Sequence, residues 1–241
     1  MANPLHQFEI QDVVPIHIGG LNASFTNSAL FMVITVAVVT LFLTASTRGR
    51  ALVPGRWQSM AELSYEFVAG MVRDNVGAEG RRYFPFIFSL FMFILFGNLL
   101  GLIPYSFTFT SHIIVTLAMA LFVFVGVTVI GFLRHGAHFL SFFVPKGVHP
   151  VMWILLIPIE VLSYLSRPVS LSIRLFANMM AGHTMLKVFA GFIVPLGFLG
   201  GWAPLAMAVA LSGFEFLVAF LQAYVFSVLA CLYLNDAIHL H

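Results

Sequence analysis

The segment SLSIRLFANMMAGH, from Ser170 to His183, places a permanently charged arginine in the middle of a long apolar stretch. Arg174 is followed by Asn178 and then His183, and the residues between them are apolar. An arginine at the centre of a membrane helix costs about 2.5–3.5 kcal/mol on insertion scales, so such a residue usually serves a function. The segment therefore predicts a membrane helix with a charged functional residue at its centre.

The composition of the whole chain supports a membrane location. Of its 241 residues, 61% are hydrophobic and only 8% are charged, whereas soluble domains carry about 25% charged residues. The apolar runs are long and lack the alternation of membrane β-strands, so we expect α-helical spans. The net charge of +2 is too small to suggest a nucleic-acid partner, and the single cysteine, Cys231, excludes an internal disulfide.

Three segments have the length of a single membrane span, about 20 residues for a hydrocarbon core of about 30 Å. They are Phe25 to Ala45, Phe84 to Ile103, and Ile113 to Leu133. Basic residues follow the first and the third of these spans, so both of these loops should be cytoplasmic. We therefore expect residues 1–24 to be an external segment and the C-terminus to be cytoplasmic.

Two further features lie in this part of the chain, an amphipathic segment and a polar residue inside the second span. Trp57 to Val72 has apolar residues at helical spacing, interrupted by Glu62 and Glu66, which predicts an amphipathic helix that lies at the membrane interface. Asn98 stands between two glycines inside the second span. We expect it to be a helix-packing position that makes a hydrogen bond to a neighbouring helix.

The last two apolar segments, Val151 to Ile193 and Leu196 to Leu234, are too long for one perpendicular span each. Forty helical residues extend about 60 Å, twice the thickness of the hydrocarbon core. A division of the first segment at Arg167 would leave about 15 residues, or roughly 22 Å, which is too short. We therefore favour two long helices that are kinked at Pro158 and Pro168 and tilted by about 60°. The fold class is an all-α polytopic membrane protein with about five membrane helices.

Ionisable and amide side chains in these two long segments indicate a proton path. If the helices are antiparallel and Gln222 lies beside Arg174, Glu215 lies near the level of His183. A carboxylate and an imidazole at one depth can relay protons. Glu160 lies on the other side of Arg174, within about 40° of its face.

A fixed cation between two sets of protonatable groups blocks direct proton passage, because a guanidinium does not deprotonate. Two half-pathways that are separated in this way require a mobile proton carrier, which should be another subunit. On a straight helix, His183 points about 180° away from Arg174. Either the helix curves or the relay approaches from the back, and the sequence leaves both open. Arg167 and Lys187 are expected to extend toward the lipid headgroups.

The motifs RLFANMMAGH and FLQAYVFSVL resemble the subunit a family of the rotary F-type ATP synthases. The resemblance covers most of the chain, including HQFEI, FGNLLGLIPYSFT and SRPVSLSIRLFANMMAGHTMLKVFAGF. Many bacterial members of that family carry a carboxylate at the His183 position and a histidine at the Glu215 position. In this chain the two are exchanged, as in mitochondrial and related alphaproteobacterial members.

This resemblance implies a role for each candidate residue. Arg174 would be the essential arginine that faces the carboxylates of a rotor ring, with Gln222 as its hydrogen-bonding neighbour. Asn178, His183 and Glu215 would line a half-channel from the external side, and Glu160 would line a half-channel to the cytoplasm. The family also implies two long, strongly tilted helices that wrap against the ring.

The same resemblance implies the partners and the location of the chain. The partners would be a ring of small carboxylate-bearing rotor subunits, the peripheral stalk subunits and the lipid membrane, with no nucleic acid. We expect a bacterial inner membrane rather than a mitochondrial one. The sequence contains no P-loop or GxGxxG motif, so we expect no nucleotide site, no enzymatic activity of its own and no cofactor. His135 and His138 have no further ligands nearby, which makes a metal site unexpected.

A self-contained proton-coupled secondary transporter is the alternative. Such a transporter would have inverted repeats and broken half-helices in both halves of the chain. Here the charged groups of the apolar segments are confined to the last 90 or so residues, which favours the first interpretation. The number of ring subunits, and the choice between proton and sodium, stay open.

Overall fold

The computed structural model describes residues 8–15, 17–18, 21–22, 24–48, 53–103, 106–143 and 150–239. The strands are β1 (Asp12–Val14), β2 (His17–Ile18), β3 (Leu21–Asn22) and β4 (Phe25–Thr26). The helices are α1 (Asn27–Thr47), α2 (Arg56–Val76), α3 (Phe84–Gly101), α4 (Ile113–His135), α5 (Pro150–Ile193), α6 (Gly197–Gly200) and α7 (Trp202–Ile238). Short 3₁₀ helices span Ala78–Tyr83, Phe109–Ser111 and Gly136–Phe143.

Five helical segments in the described part of the chain are long and apolar enough to cross a membrane. They are Asn27–Thr47, Ala78–Gly101, Ile113–Phe139, Met152–Ile193 and Trp202–Ile238. The expected all-α polytopic fold, with two long final helices, is thereby confirmed. Pro158 and Pro168 both lie inside α5, which continues through them for 44 residues. A division of this segment at Arg167 is therefore wrong, and the tilt of the two helices stays a prediction.

The first span begins two residues later than expected, because Phe25 and Thr26 form β4, which pairs with β1. The side chain of Thr26 accepts a hydrogen bond from the Ala29 amide at 3.4 Å and so caps α1. The Asn27 side chain accepts from the Gln11 amide at 3.3 Å and donates to the Glu9 carbonyl at 3.1 Å. These bonds attach the N-terminal segment to the start of α1. The beginning of HQFEI lies outside the described residues.

The apolar residues of α2 differ in burial along the helix. Near its start, Trp57, Met60 and Leu63 are exposed. Further along, Val68, Met71 and Val72 are buried against the rest of the protein. α2 is therefore packed against α3 and α7, and its contact with the membrane surface stays a prediction.

Helix α7 lies at the centre of the helix packing, in contact with α2, α3, α4 and α5. Its buried face carries mainly small residues, among them Ala219, Ala223, Ala230 and Cys231, which let neighbouring helices approach closely. Asn98 of α3 is fully buried there and donates from Nδ2 to the Ala219 carbonyl at 3.3 Å. The expected helix-packing role of Asn98 is confirmed. It brings α3 beside the part of α7 that carries Glu215.

Candidate functional site

His183 of α5 and Glu215 of α7 form a buried pair in the interior. Their exposed fractions are 8% and 2%, and His183 Nδ1 lies 3.2 Å from Glu215 Oε1. The distance is that of an ion pair, but its angles are not those of a hydrogen bond, and neither carboxylate oxygen of Glu215 has a hydrogen-bond partner among the described residues. Buried carboxylate oxygens without partners are rare in folded proteins and often mark functional groups.

The second ring nitrogen of His183 contacts Thr108, a residue that the sequence did not single out. His183 Nε2 and Thr108 Oγ1 are 3.1 Å apart. Thr108 donates its one hydroxyl proton to the Gly101 carbonyl at 3.2 Å, so it accepts the bond from His183 Nε2. With Thr108 as acceptor, the ring proton of His183 is assigned to Nε2, and Nδ1 faces Glu215 Oε1. Two signals for Thr108 were its place at the end of the motif FGNLLGLIPYSFT and its position among several hydroxyl residues in an otherwise apolar chain.

Two glycines provide the space for this group of side chains. A Cβ atom added to Gly182 would lie 2.7 Å from Glu215 Oε1, and one added to Gly101 would lie 2.6 Å from Thr108 Oγ1. Both distances are shorter than real Cβ contacts. Glycine at these positions therefore lets α5 approach Glu215 and lets Thr108 lie against α3.

A cavity of about 790 Å³ leads to His183. Its wall includes polar groups of the N-terminal segment and the start of α1, together with the ends of α3 and α5 and the first half of α7. Glu9, Gln11, Asn27, Ser106, Lys187 and Ser212 are its polar lining residues other than His183. A second cavity of about 810 Å³ lies between α1, α3 and α4, has an almost wholly apolar lining and contains none of the predicted site residues.

Arg174 and Asn178 lie on the opposite face of α5 from His183. Leu175, Met179 and His183 follow one another at four-residue spacing on the buried face. Arg174 and Asn178 are both exposed in the isolated chain. The question that the sequence left open has a structural answer: the cavity reaches His183 from behind the helix that presents Arg174.

The register of α5 against α7 determines the level of Gln222 relative to Arg174. The two helices are antiparallel and touch at His183–Glu215 and again at Arg167–Asp236. Linear interpolation between these contacts places Gln222 at the level of about residue 178, that is, of Asn178, about one helical turn from Arg174. Gln222 is buried. Within the described residues, it makes no hydrogen bond to Arg174.

The chain was compared with known proteins. Residues 29–235 match the model of a family described as "ATP synthase A chain". The chain belongs to this family. It is 61% identical over 247 residues to ATP synthase subunit a of Paramagnetospirillum magneticum, with 100% of both chains covered. It is 61% identical over 244 residues to that of Mesorhizobium japonicum, with 99% of this chain and 97% of the relative covered.

A third relative, ATP synthase subunit a of Pelagibacter ubique, is 56% identical over 241 residues, with 100% of this chain and 99% of the relative covered. These relatives come from alphaproteobacteria, as the exchanged histidine and glutamate implied. Membership in this family agrees with proton transport and ATP synthesis in the membrane sector of the complex. Membership in this family gives no support to the alternative, a self-contained proton-coupled transporter.

Glu160 lies apart from the other predicted site residues. It is half-buried on α5, 14 residues before Arg174, which is about 21 Å along a helix. Glu160 does not line either of the two cavities described above. The structure thus brings His183 and Glu215 together, places Gln222 and Asn178 at one level, and leaves Glu160 on the far side of Arg174.

Arg167 does not extend toward lipid headgroups, and that expectation is wrong. Its Nη1 atom lies 2.8 Å from Asp236 Oδ2 of α7. Its guanidinium also lies over the rings of Tyr164 and Tyr233, 5.4 Å and 5.1 Å from their centroids. An ion pair and two aromatic faces hold the side chain more favourably than the headgroups would.

Proposed function

We propose that the chain is the stationary proton-translocating subunit of a rotary ATP synthase. Two offset half-channels, separated by Arg174, pass protons to and from carboxylates on a rotating ring and so couple proton flow to rotation. One observation carries this proposal: a cavity with several polar lining residues reaches His183, which is paired with the buried Glu215, while Arg174 lies on the opposite, exposed face of the same helix.

The external half-channel begins at the cavity beside the N-terminal segment. Protons enter past the polar lining residues and reach His183, whose imidazole can accept and release a proton. Glu215, 3.2 Å from His183 Nδ1, takes the proton onward. Asn178 and Gln222, about one turn from Arg174, form the end of this path, where a ring carboxylate collects the proton.

Arg174 separates the two half-channels. Its guanidinium stays charged at any working pH and repels a proton that approaches from either side. A lipid-facing arginine is costly, so the exposed face of α5 is best covered by a partner with a negative charge. A ring carboxylate that has lost its proton supplies that charge and is held by Arg174 until it passes.

Glu160 marks the second half-channel on the cytoplasmic side. It lies on the other side of Arg174 from His183, at a distance that the ring carboxylate must bridge. The thermodynamic driving force for each proton is about 2.3 kcal/mol per 100 mV. The chain itself is not catalytic, since ATP chemistry belongs to other subunits of the complex.

The remaining assignments follow from this role. The whole chain forms one membrane domain in the bacterial inner membrane, with the N-terminus external and the C-terminus cytoplasmic. The rotor ring lies against the exposed faces of α5 and α7, and the peripheral stalk subunits hold the chain stationary. The amphipathic helix α2 lies at the cytoplasmic interface.

The proposal is tested by passive proton flux through the membrane sector. Membrane vesicles that contain the whole complex are stripped of the catalytic sector, and a potassium diffusion potential drives proton entry. A Glu215→Gln substitution should lower this flux at least several-fold, because the amide cannot take up a proton. Glu66→Gln, the same change on the exposed surface of α2, should leave it unchanged. Unaltered flux in Glu215→Gln over a pH series would remove Glu215 from the path.

A further inference from the structure

Pro168 creates a weak point in α5 close to Arg174. Proline has no amide hydrogen, so Pro168 cannot donate the usual helical bond to the carbonyl four residues earlier, that of Tyr164. Such positions are where helices bend. Arg174 lies six residues beyond Pro168, about 9 Å along the helix. The depth and direction of Arg174 therefore depend on how this joint is held.

A group of side chains from three helices surrounds the joint. Arg167, directly before Pro168, pairs with Asp236 at 2.8 Å and lies over the rings of Tyr164 and Tyr233. The hydroxyl of Tyr164 is 2.7 Å from Thr128 Oγ1 of α4. We call this group of five residues, Thr128, Tyr164, Arg167, Tyr233 and Asp236, the Arg167 clamp. It attaches the segment before Pro168 to both α7 and α4.

The segment after Pro168 is attached to α7 separately. Leu171, Leu175 and Met179 are buried in the hydrophobic core, and His183 contacts Glu215. The helix is thus attached to α7 on both sides of the proline. Arg174 lies between the two attachment points along the helix, and its side chain is exposed.

We propose that the Arg167 clamp holds the Pro168 joint and thereby positions Arg174 against the pull of passing ring carboxylates. Arg167 is then a positioning residue, because it acts through Arg174. The guanidinium suits this task, since it can pair with a carboxylate and stack on aromatic rings at the same time, which an ammonium group does less well. The inference rests on the proposed role of Arg174 as the separator.

The test is a double-mutant cycle in the whole complex. Arg167→Gln, Pro168→Ala and the double variant are compared in inverted membrane vesicles, with ATP-driven proton pumping and passive proton flux measured per assembled chain. Arg167→Gln should lower pumping several-fold and raise passive flux, because a displaced Arg174 lets protons pass without rotation. Pro168→Ala restores the missing helical hydrogen bond, so in that background the Arg167→Gln loss should shrink to less than about twofold. An equal loss in both backgrounds would overturn the proposal.

Further variants keep the test decisive if a Pro168→Ala chain does not assemble. Asp236→Asn should raise passive flux relative to pumping as Arg167→Gln does, whereas Arg167→Lys should restore part of the coupling. An unchanged ratio in both Arg167→Gln and Asp236→Asn would overturn the clamp. Arg134→Gln, which breaks the exposed ion pair with Glu79, should leave the ratio at the wild-type value. Normal pumping in Arg174→Ala would instead overturn the proposed function, independently of the clamp.

Discussion

His183 and Arg174 lie on opposite faces of α5, with His183 buried at 8% exposure and Arg174 exposed on the outer side. The helix itself therefore stands between the proton-accepting pair and the fixed cation. In the proposed path, a proton that arrives at His183 does not meet Arg174 directly and passes through Glu215 on the neighbouring helix. A path of this kind uses residues of both long helices.

Removal of the Thr108 hydroxyl should weaken the relay. Thr108→Val keeps the shape of the side chain but leaves His183 Nε2 without its acceptor, a loss of about 1–3 kcal/mol for a buried donor. We expect ATP-driven proton pumping to fall several-fold, and Thr108→Ser to retain most of it. Thr40→Val is the matched control, because the Thr40 hydroxyl bonds only the Val36 carbonyl of its own helix. Wild-type pumping in Thr108→Val would show that the contact with His183 is incidental.

A methyl group on Gly182 should displace Glu215. The added Cβ would lie 2.7 Å from Glu215 Oε1, so the carboxylate must move away from His183 or the helices must separate. Gly182→Ala should therefore reduce passive proton flux through the membrane sector at least several-fold. Gly191→Ala, on the same helix with no atom within 4 Å of the new Cβ, should have no effect. Equal flux in these two variants would contradict the close packing at Glu215.

Asn98 should affect stability rather than proton transfer as such. Asn98→Leu removes a second donor from the Ala219 carbonyl, which keeps its helical bond within α7. It also leaves the Thr110 hydroxyl without its acceptor, which costs about 1–3 kcal/mol when buried. We expect less assembled chain in the membrane and a lower thermal unfolding temperature of the detergent-solubilised complex. Asn75→Leu removes only a bond within its own helix and serves as the control. A stable Asn98→Leu complex would count against this cross-helix bond.

Much of the fold could be predicted from composition and length. The apolar runs and the excessive length of the last two segments indicated five helices, two of them long. The assumption that Gln222 lies beside Arg174 also placed Glu215 near the level of His183, where the structure has it. These predictions succeed because helical rise and membrane thickness are fixed lengths that any sequence must obey.

Contacts that depend on helix crossing and side-chain direction could not be predicted in the same way. Arg167 meets Asp236, 69 residues away, and Thr108 meets His183, 75 residues away. Neither separation follows a local period. The level of Gln222 differed from the expected one, because the two contact points along α5 are 16 residues apart and those along α7 are 21 apart. A prediction that advances by the same number of residues along both helices misses this difference.

The burial along α2 has a similar explanation. Trp57, Met60 and Leu63, near its start, are exposed, whereas Met71, further along the helix, is buried. Val68 and Val72 also pack inward, because α7 and α3 contact the helix. The spacing of apolar residues does not distinguish those that pack against the protein from those that stay exposed.

We propose that Arg174 separates two half-channels. The Arg174→Ala variant is the direct test of this role. Membrane vesicles with the assembled complex are used to measure ATP-driven proton pumping and, after removal of the catalytic sector, passive proton flux. Arg134→Ala is the control for loss of a positive charge elsewhere. We expect Arg174→Ala to abolish ATP-driven pumping, while the chain still assembles and passive proton flux persists. ATP-driven pumping at the wild-type rate in Arg174→Ala would contradict it.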